Sequence, residues 1–356
     1  MNFDYDLIRR LPKTDLHCHL DGSLRVSTLM ELAARQGVAL PVRTAEELKS
    51  HMRIADGADL SEYLKLFDLT LSVLQDEESL ERVAFELAED AARENVWYLE
   101  VRFSPILHQQ SGLTLEAIIE SVLRGLRRAE GRWRIKGGVI VCGIRHISPE
   151  VSLHLADLAI RYKKQGVVAF DLAGAEKDYP AKEHREAFQR VLNNNINSTV
   201  HAGEAFGARS IHQAIHYCGA HRIGHGTLLW EDPDLLDYFN DHRIPLEMCL
   251  TSNIQTGAAE SYETHPFGAY FRKGLRVTIN TDNRLMSDTT ATQELQLACR
   301  HLDLYVADLR KILIDGFKSA FLPHAEKKML LREAISVWDE VFTEAFPNYR
   351  PNQTFL

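Results

Sequence analysis

Eight short apolar runs alternate with stretches of helical spacing along most of this chain, and this alternation limits the possible folds more than any other feature. The runs cover residues 13–19, 97–103, 138–144, 167–172, 198–201, 222–225, 245–249 and 276–280. Apolar residues recur at helical spacing between them, for example over 115–126, 151–162, 185–191 and 235–239. Short buried strands separated by helices favour parallel βαβ units, and eight units favour an α/β fold closed into a (β/α)8 TIM barrel. An open, doubly wound sheet is the lesser alternative.

The length of the chain agrees with one large domain. It has 356 residues, and α/β barrels of several hundred residues form one folding unit. The stretch 26–94 is too long for one crossover, and its helical patterns at 27–36, 61–74 and 78–93 predict an inserted helical cap. Residues 293–346 are also helical in pattern and contain no linker. We therefore expect 1–356 to be a single barrel domain with extra C-terminal helices.

Charge and composition disfavour several classes of partner. The net charge of −9 at pH 7 argues against binding to a nucleic-acid backbone. The first residues lack a basic leader, and no segment approaches the roughly 18 uninterrupted apolar residues of a membrane span. The five cysteines are scattered and form no Cys-x-x-Cys pair, as expected of reduced core thiols. We expect a soluble cytoplasmic protein without nucleic-acid or membrane partners, and the sequence leaves its oligomeric state open.

Residues that can bind a metal follow the apolar runs. His17 and His19 are two apart, so in a strand their side chains lie on the same face. His201, His225 and Asp282 each lie at the end of a different run. Because the C-terminal ends of barrel strands converge on one face, these five residues are candidates for a single site. Imidazoles and a carboxylate are ligands that zinc accepts, and a mixed site with a vacant position for water is catalytic.

Three neighbouring features narrow the chemistry. The fourth run, 167–172, lacks the lysine that bridges the metals of binuclear barrels, so we expect one ion. Cys18 would point away from its histidine neighbours and is expected to be a packing residue. Glu204, three residues past His201, is the natural general acid/base, the alternative being a carboxylate that caps the next helix.

Seven segments, taken in order, resemble the adenosine deaminase family of amidohydrolase-type barrels. They are PKTDLHCHLDG (12–22), EVRFSP (100–105), DLAG (171–174), HAGE (201–204), RIGHG (222–226), TSN (251–253) and NTD (280–282). The likeness covers nearly the whole chain, and the segment RLMS (284–287) is similar to a bacterial branch of the family.

The resemblance implies a role for each candidate residue. His17, His19, His201 and Asp282 would hold one zinc ion. His225 would orient the attacking water and help to deprotonate it. Glu204 would give a proton to N1 of the purine, so that hydroxide can add at C6 and ammonia can leave.

The same resemblance implies how substrate binds. Asp21 matches the position that binds the ribose 5′-hydroxyl, and Asp rather than Glu there favours a nucleoside over a free base. Gly174 is similar to the position whose backbone N–H meets purine N3, where a side chain would block close approach. Asn283 stands where many members have an Asp that contacts N7, and its amide can donate to N7 at any pH.

The resemblance also implies a lid helix over the substrate and a specific activity. Apolar side chains at i, i+3, i+4 and i+7 resemble the lid helix of the family, although an ordinary helix face packed on the barrel fits the spacing equally well. They are Leu60, Tyr63, Leu64 and Phe67. The resemblance implies zinc-dependent hydrolytic deamination of adenosine and 2′-deoxyadenosine in purine salvage. The alternatives are a sister deaminase of adenine, a modified adenosine or aminofutalosine, and a catalytically silent nucleoside-binding protein.

Overall fold

Eight parallel strands form the centre of the fold. A computed structural model describes residues 3–57 and 64–351. The strands are β1 (Lys13–His19), β2 (Val96–Phe103), β3 (Lys136–Ile144), β4 (Val167–Ala173), β5 (Asn197–Ala202), β6 (Arg222–His225), β7 (Leu246–Met248) and β8 (Val277–Ile279). They pair in sequence order within one sheet. This order, with helices between the strands, confirms the predicted (β/α)8 barrel.

Backbone contacts just after β8 bring the last strand against the first. Cys18 pairs in parallel with Asp282. The His19 N–H donates to the Asp282 carbonyl at 2.7 Å, and the Asp282 N–H donates to the His17 carbonyl at 2.8 Å. The Asn280 side-chain oxygen also accepts from the Leu16 N–H at 2.9 Å. These bonds nearly close the barrel and hold Asp282 beside the two histidines of β1.

Fifteen α-helices of the described residues surround the strands. They are α1 (Tyr5–Arg10), α2 (Val26–Gln36), α3 (Ala45–Met52), α4 (Phe67–Ser72), α5 (Glu77–Arg93), α6 (Leu115–Glu130), α7 (Pro149–Tyr162), α8 (Arg185–Asn193), α9 (Gly207–His216), α10 (Pro233–Asp241), α11 (Leu250–Gln255), α12 (Pro266–Lys273), α13 (Ala291–His301), α14 (Val306–Ser319) and α15 (His324–Ala345). Helices α2 to α5 lie between β1 and β2, in the stretch where the sequence indicates an insertion.

The C-terminal helices pack on the barrel through a buried aromatic anchor. Trp338 on α15 is fully buried, and its indole N–H donates to the Pro12 carbonyl at 2.8 Å, directly before β1. Its ring meets Phe317 of α14 edge to face, with centroids 5.7 Å apart. A buried Trp whose N–H is paired adds apolar contact without leaving an unsatisfied donor.

The cysteines are packing residues. All five lie within the described residues, are buried and carry free thiols. Cys18 belongs to the main apolar core, and its sulfur lies 3.5 Å from the Ser23 hydroxyl. Within residues 3–57 and 64–351, no helix is both long and apolar enough to cross a bilayer.

Candidate metal centre and active site

The barrel brings the five predicted metal-site residues together at the C-terminal ends of its strands. One ligand atom from each of His17, His201, His225 and Asp282 lies within 4.8 Å of the others. Nε2 of His19 lies 3.2 Å from Nε2 of His201 and 3.4 Å from Oδ1 of Asp282. Side chains from β1, β5, β6 and the segment after β8 therefore share one small volume.

Hydrogen bonding fixes which nitrogen of His17 faces this volume. Its Nδ1 lies 3.0 Å from Oε2 of Glu247, and because an ionised carboxylate only accepts, Nδ1 carries the proton. Burial, with the Arg102 charge next in size, lowers the pKa of His17 to about 4, so the ring is neutral. Nε2 then holds a lone pair 3.3 Å from the Asp282 carboxylate and has no hydrogen-bond partner. Two acceptor atoms buried this close together repel each other, and a cation bound to both removes that repulsion.

A second carboxylate orients His201 in the same way. Asp171 on β4 accepts from Nδ1 of His201, with its Oδ2 3.0 Å away, so Nε2 faces the centre. Burial opposes protonation of His201, but Asp171 outweighs it and raises the pKa of the imidazole. A cation at this position therefore competes with a proton, as metal ions generally do for histidine ligands.

Asp282 presents one oxygen to the centre and anchors the other. The Ser252 hydroxyl donates to Oδ2 at 2.6 Å, while Oδ1 faces the imidazoles of His17 and His19. The residue has φ +59°, a left-handed conformation that Asp adopts more readily than most residues. With its backbone bonded to β1 on both sides, the carboxylate is held in place before any ligand binds.

A chain of hydrogen bonds sets the proton position on His225. The Phe267 N–H donates to Nδ1 of His265 at 3.1 Å, and burial lowers the pKa of His265 to about 3, so its one ring proton is on Nε2. That Nε2 lies 3.2 Å from Oδ1 of Asn253, whose Nδ2 lies 2.9 Å from Nδ1 of His225. Nδ1 of His225 thus accepts, and its Nε2–H faces the site. By distance His225 could join the ligands, but an N–H cannot bind a metal.

Glu204 lies next to His225, two residues beyond β5. Its Oε2 is 3.6 Å from Nε2 of His225, and the Thr256 hydroxyl donates to Oε1 at 3.1 Å. Burial raises the pKa of Glu204, which favours its protonated form. A buried carboxyl whose pKa is raised, lying beside a candidate metal centre, is suited to act as a general acid.

Asp21 and His108 leave unsatisfied acceptors at another edge of the site. Nδ1 of His108 lies 2.9 Å from the Leu74 carbonyl and therefore carries the proton, so Nε2 is an acceptor. This Nε2 is 3.9 Å from Oδ2 of Asp21, and neither it nor Oδ1 of Asp21 has a hydrogen-bond partner. Burial raises the pKa of Asp21 to about 7. Buried polar atoms without partners indicate that a ligand hydroxyl or water belongs here.

Two glycines shape the pocket around the predicted substrate contacts. Gly174 has φ +91°, which disfavours any side chain there. At Gly22 an added Cβ would lie only 1.7 Å from Oδ1 of Asn283, so glycine is needed for this amide to fit. Oδ1 of Asn283 is buried without a hydrogen-bond partner.

Only part of the predicted lid lies within the described residues. Leu60 and Tyr63 lie outside the described residues. Leu64 and Phe67 are half-buried, and the Phe67 ring meets His19 edge to face with centroids 6.2 Å apart. Of the two predicted lid residues that the structure describes, Phe67 contacts a residue of the candidate metal centre.

The carboxylates behind the imidazoles belong to an ion network that the sequence reasoning missed. Arg102 donates to Asp171 at 3.1 Å and to Glu247 at 2.7 Å, and Arg222 pairs with Glu247 and Glu100. All five side chains belong to residues at most 1% exposed. The sequence feature that could have predicted this network is the presence of charged residues within apolar strand runs. A buried charge is costly unless it is paired, so such residues indicate buried ion pairs.

Comparisons with known proteins agree with this geometry. The adenosine deaminase family model matches residues 12–337. A Mycolicibacterium gilvum protein named adenosine deaminase is 44% identical, over 92% of this chain and 95% of that protein. A Dictyostelium discoideum protein named probable adenosine deaminase is 41% identical over 95% of this chain, which spans only 44% of that protein. The crystal structure of an N6-mAMP deaminase from Arabidopsis matches with TM-score 0.84 and 29% identity, over 93% of this chain and 99% of that one.

The family match therefore extends over both halves of the chain and includes all the strands of the barrel. It also includes every residue of the candidate metal centre. This chain belongs to the adenosine deaminase family, whose members are hydrolases that act on C–N bonds.

Proposed function

We propose that this chain is a zinc-dependent adenosine deaminase that converts adenosine and 2′-deoxyadenosine to inosine and 2′-deoxyinosine plus ammonia, in purine salvage. The observation that carries the proposal is the convergence of the imidazoles and Asp282 beside Glu204, a buried carboxyl whose pKa is raised by burial. The names of the bacterial relatives support adenosine as the substrate. Nucleoside and water are the only partners the reaction requires, and buried free thiols suit a cytoplasmic setting.

The chain's own residues divide the work of binding and catalysis. His17, His19, His201 and Asp282 would hold one zinc ion, which supplies a water whose pKa is lowered from about 15.7 toward roughly 7. Glu204 holds the proton that is given to N1, so that water adds at C6. As a carboxylate, Glu204 can then take one proton from the adding water and pass it to the leaving amine. When ammonia leaves, Glu204 takes the remaining hydroxyl proton at C6, which forms the carbonyl of the product and restores the carboxylic acid.

His225 suits a narrower role than the resemblance implies. Its Nδ1 is occupied by Asn253, so its Nε2–H is available to donate to the oxygen of the attacking water. We propose that His225 orients this water and that Glu204, 3.6 Å away, is the group that accepts a proton. Gly174 would offer its backbone N–H to purine N3, and Asn283 its amide to N7.

Asp21 and His108 would bind the sugar. A 5′-hydroxyl has one hydrogen to donate, so it can satisfy one of these two acceptors directly and the other through a bridging water. In its ionised form Asp21 would oppose a 5′-phosphate, because two negative charges in a buried pocket repel each other. This arrangement favours a nucleoside over the nucleotide substrate named for the Arabidopsis structure.

Replacement of Asp21 by Ala is expected to raise KM for adenosine about 10- to 100-fold, as the loss of a roughly 1.5–3 kcal/mol hydrogen bond implies. The matched substrate is 5′-deoxyadenosine, which lacks the hydroxyl, so its KM should change little. Steady-state kinetics of both enzymes with both substrates give the comparison. Equal increases in KM for the two substrates would remove the assignment of Asp21 to the sugar.

The proposed activity is tested with purified, zinc-loaded protein and a panel of 6-aminopurines. We expect adenosine and 2′-deoxyadenosine to turn over, with loss of their absorbance and release of one ammonia per nucleoside. Adenine, N6-methyl-AMP and aminofutalosine are the competing substrates. Preferential turnover of any of these would replace adenosine as the substrate, and binding of adenosine without turnover of any compound would indicate a catalytically silent protein.

A further inference from the structure

The side chain of Glu176, in the loop after β4, contacts the backbone of the segment that contains Glu204. Its Oε1 accepts from the Gly203 N–H at 2.6 Å. Its Oε2 accepts from the next three backbone N–H groups, those of Glu204 at 3.0 Å, Ala205 at 2.6 Å and Phe206 at 3.2 Å. One carboxylate, 4% exposed, therefore receives four consecutive amides between β5 and α9.

The backbone of this segment curves around the carboxylate. Gly203 has φ +71°, and an added Cβ there would lie 2.4 Å from Cδ1 of Ile211. Consecutive amides on the inner side of such a turn form an anion-binding concavity. The first turn of α9 is held by a different group, since Glu231 accepts from the Ala208 N–H at 3.0 Å. Glu176 thus accepts hydrogen bonds from the 203–206 segment, whereas Glu231 accepts from the first turn of the helix that follows.

Only an ionised carboxylate fits this position. It is purely an acceptor with about four lone-pair sites, which matches four donors. A glutamine of the same shape would keep one oxygen and turn an NH₂ group toward N–H donors. The buried charge of Arg145 also acts on Glu176, so the carboxylate is not without a compensating charge. Glu176 therefore bonds the loop in a way that its amide counterpart cannot reproduce.

We propose that Glu176 is a positioning residue, which fixes the 203–206 backbone and thereby aims the Glu204 carboxyl at the site. Thr256 and His225 contact the end of the Glu204 side chain, whereas Glu176 sets its starting point at the backbone. The inference rests on the proposed function for the role of Glu204 as the acid. The holding of the loop itself does not depend on the identity of the substrate.

The kinetic test compares Glu176→Gln with the zinc-loaded parent enzyme. We expect kcat for adenosine to fall about 10²-fold, the effect of displacing a catalytic group by roughly 1 Å, with KM and zinc content almost unchanged. Adding Glu176→Gln to Glu204→Gln should cost little further, because the two residues act through one group. Fully additive losses in the double variant, or a loss confined to KM, would overturn the positioning role.

Amide hydrogen exchange tests the same contact without any turnover. In Glu176→Gln the peptide containing 203–206 should exchange at least tenfold faster, while peptides from the remaining strand ends keep their rates. Unchanged exchange in 203–206 would overturn the proposal even if the substrate proved not to be adenosine. If adenosine is not turned over, the exchange result alone decides the question.

A matched control and a rescue experiment separate this role from general damage. Glu231→Gln changes a carboxylate that accepts from the first turn of α9 and not from 203–206, and we expect nearly normal kcat. In Glu176→Ala, added formate should restore part of kcat by supplying an acceptor to the four amides, and formamide should not. Rescue by neither compound, or by both equally, would contradict the requirement for a carboxylate. If Glu176→Gln does not fold, Glu176→Asp, which retains the charge, should show a smaller loss that is again confined to kcat.

Discussion

Glu204→Gln is expected to lower kcat for adenosine by roughly 10²–10⁴-fold, the usual contribution of a general acid/base. Glutamine keeps the shape of the side chain and can still accept from the Thr256 hydroxyl, which bonds Oε1 at 3.1 Å. It has no carboxyl proton to give to purine N1. Burial raises the pKa of Glu204 in the parent enzyme, which favours the form that carries this proton. Zinc content and affinity for inosine should be preserved, since Glu204 is not among the proposed ligands.

The comparison variant for this prediction is Thr256→Val, which removes one hydrogen bond to Glu204 and keeps its carboxyl. A single hydrogen bond contributes about 0.5–1.5 kcal/mol, so its kcat should fall by roughly tenfold or less. Stopped-flow single-turnover measurements on both variants separate chemistry from product release. A Glu204→Gln enzyme with nearly normal single-turnover rates would show that another group supplies the proton.

Arg102→Met is expected to destabilise the barrel interior strongly. Arg102 lies between Asp171 and Glu247, and all three side chains are fully buried. Removing one partner of a buried ion pair leaves uncompensated charge and costs about 3–5 kcal/mol. The same two carboxylates orient His17 and His201, and loss of such outer contacts lowers metal affinity about 10- to 100-fold.

Urea unfolding with and without chelator, together with competitive zinc titration, measures both effects of Arg102→Met. The matched control is Arg10→Met, whose exposed pair with Glu344 should contribute little to stability because solvent screens it. If Arg102→Met unfolded at the same urea concentration as the control and bound zinc normally, the buried network would not support the metal centre.

The sequence predicted the strands where the local pattern alone determines them. The predicted bounds of 13–19 and 222–225 match β1 and β6. The predicted 245–249 is longer than β7 (Leu246–Met248), because Cys249 leaves the ladder as the residue before helix α11. Composition cannot show this, since the end of a strand depends on where its neighbour stops pairing.

The candidate site likewise contains residues that the sequence could predict and residues that it could not. His17, His19, His201, His225 and Asp282 were found because one rule, that strand C-terminal ends converge, is enough to place them. Other residues act through partners that are distant in sequence, and their contacts depend on barrel register and loop path. These are Glu247 with His17, Asp171 with His201, Asn253 and His265 with His225, and Glu176 with 203–206. The sequence alone shows that these residues are charged or polar, but it does not show which partner each of them contacts.

The most direct test of the metal centre is a zinc-edge anomalous diffraction map of the purified protein, combined with elemental analysis. We expect one zinc ion per chain, bound by Nε2 of His17, His19 and His201 and by Asp282, with a position left for water and with Nε2 of His225 outside the coordination sphere. No bound metal, a second ion, or coordination by His225 in place of His19 would contradict the account.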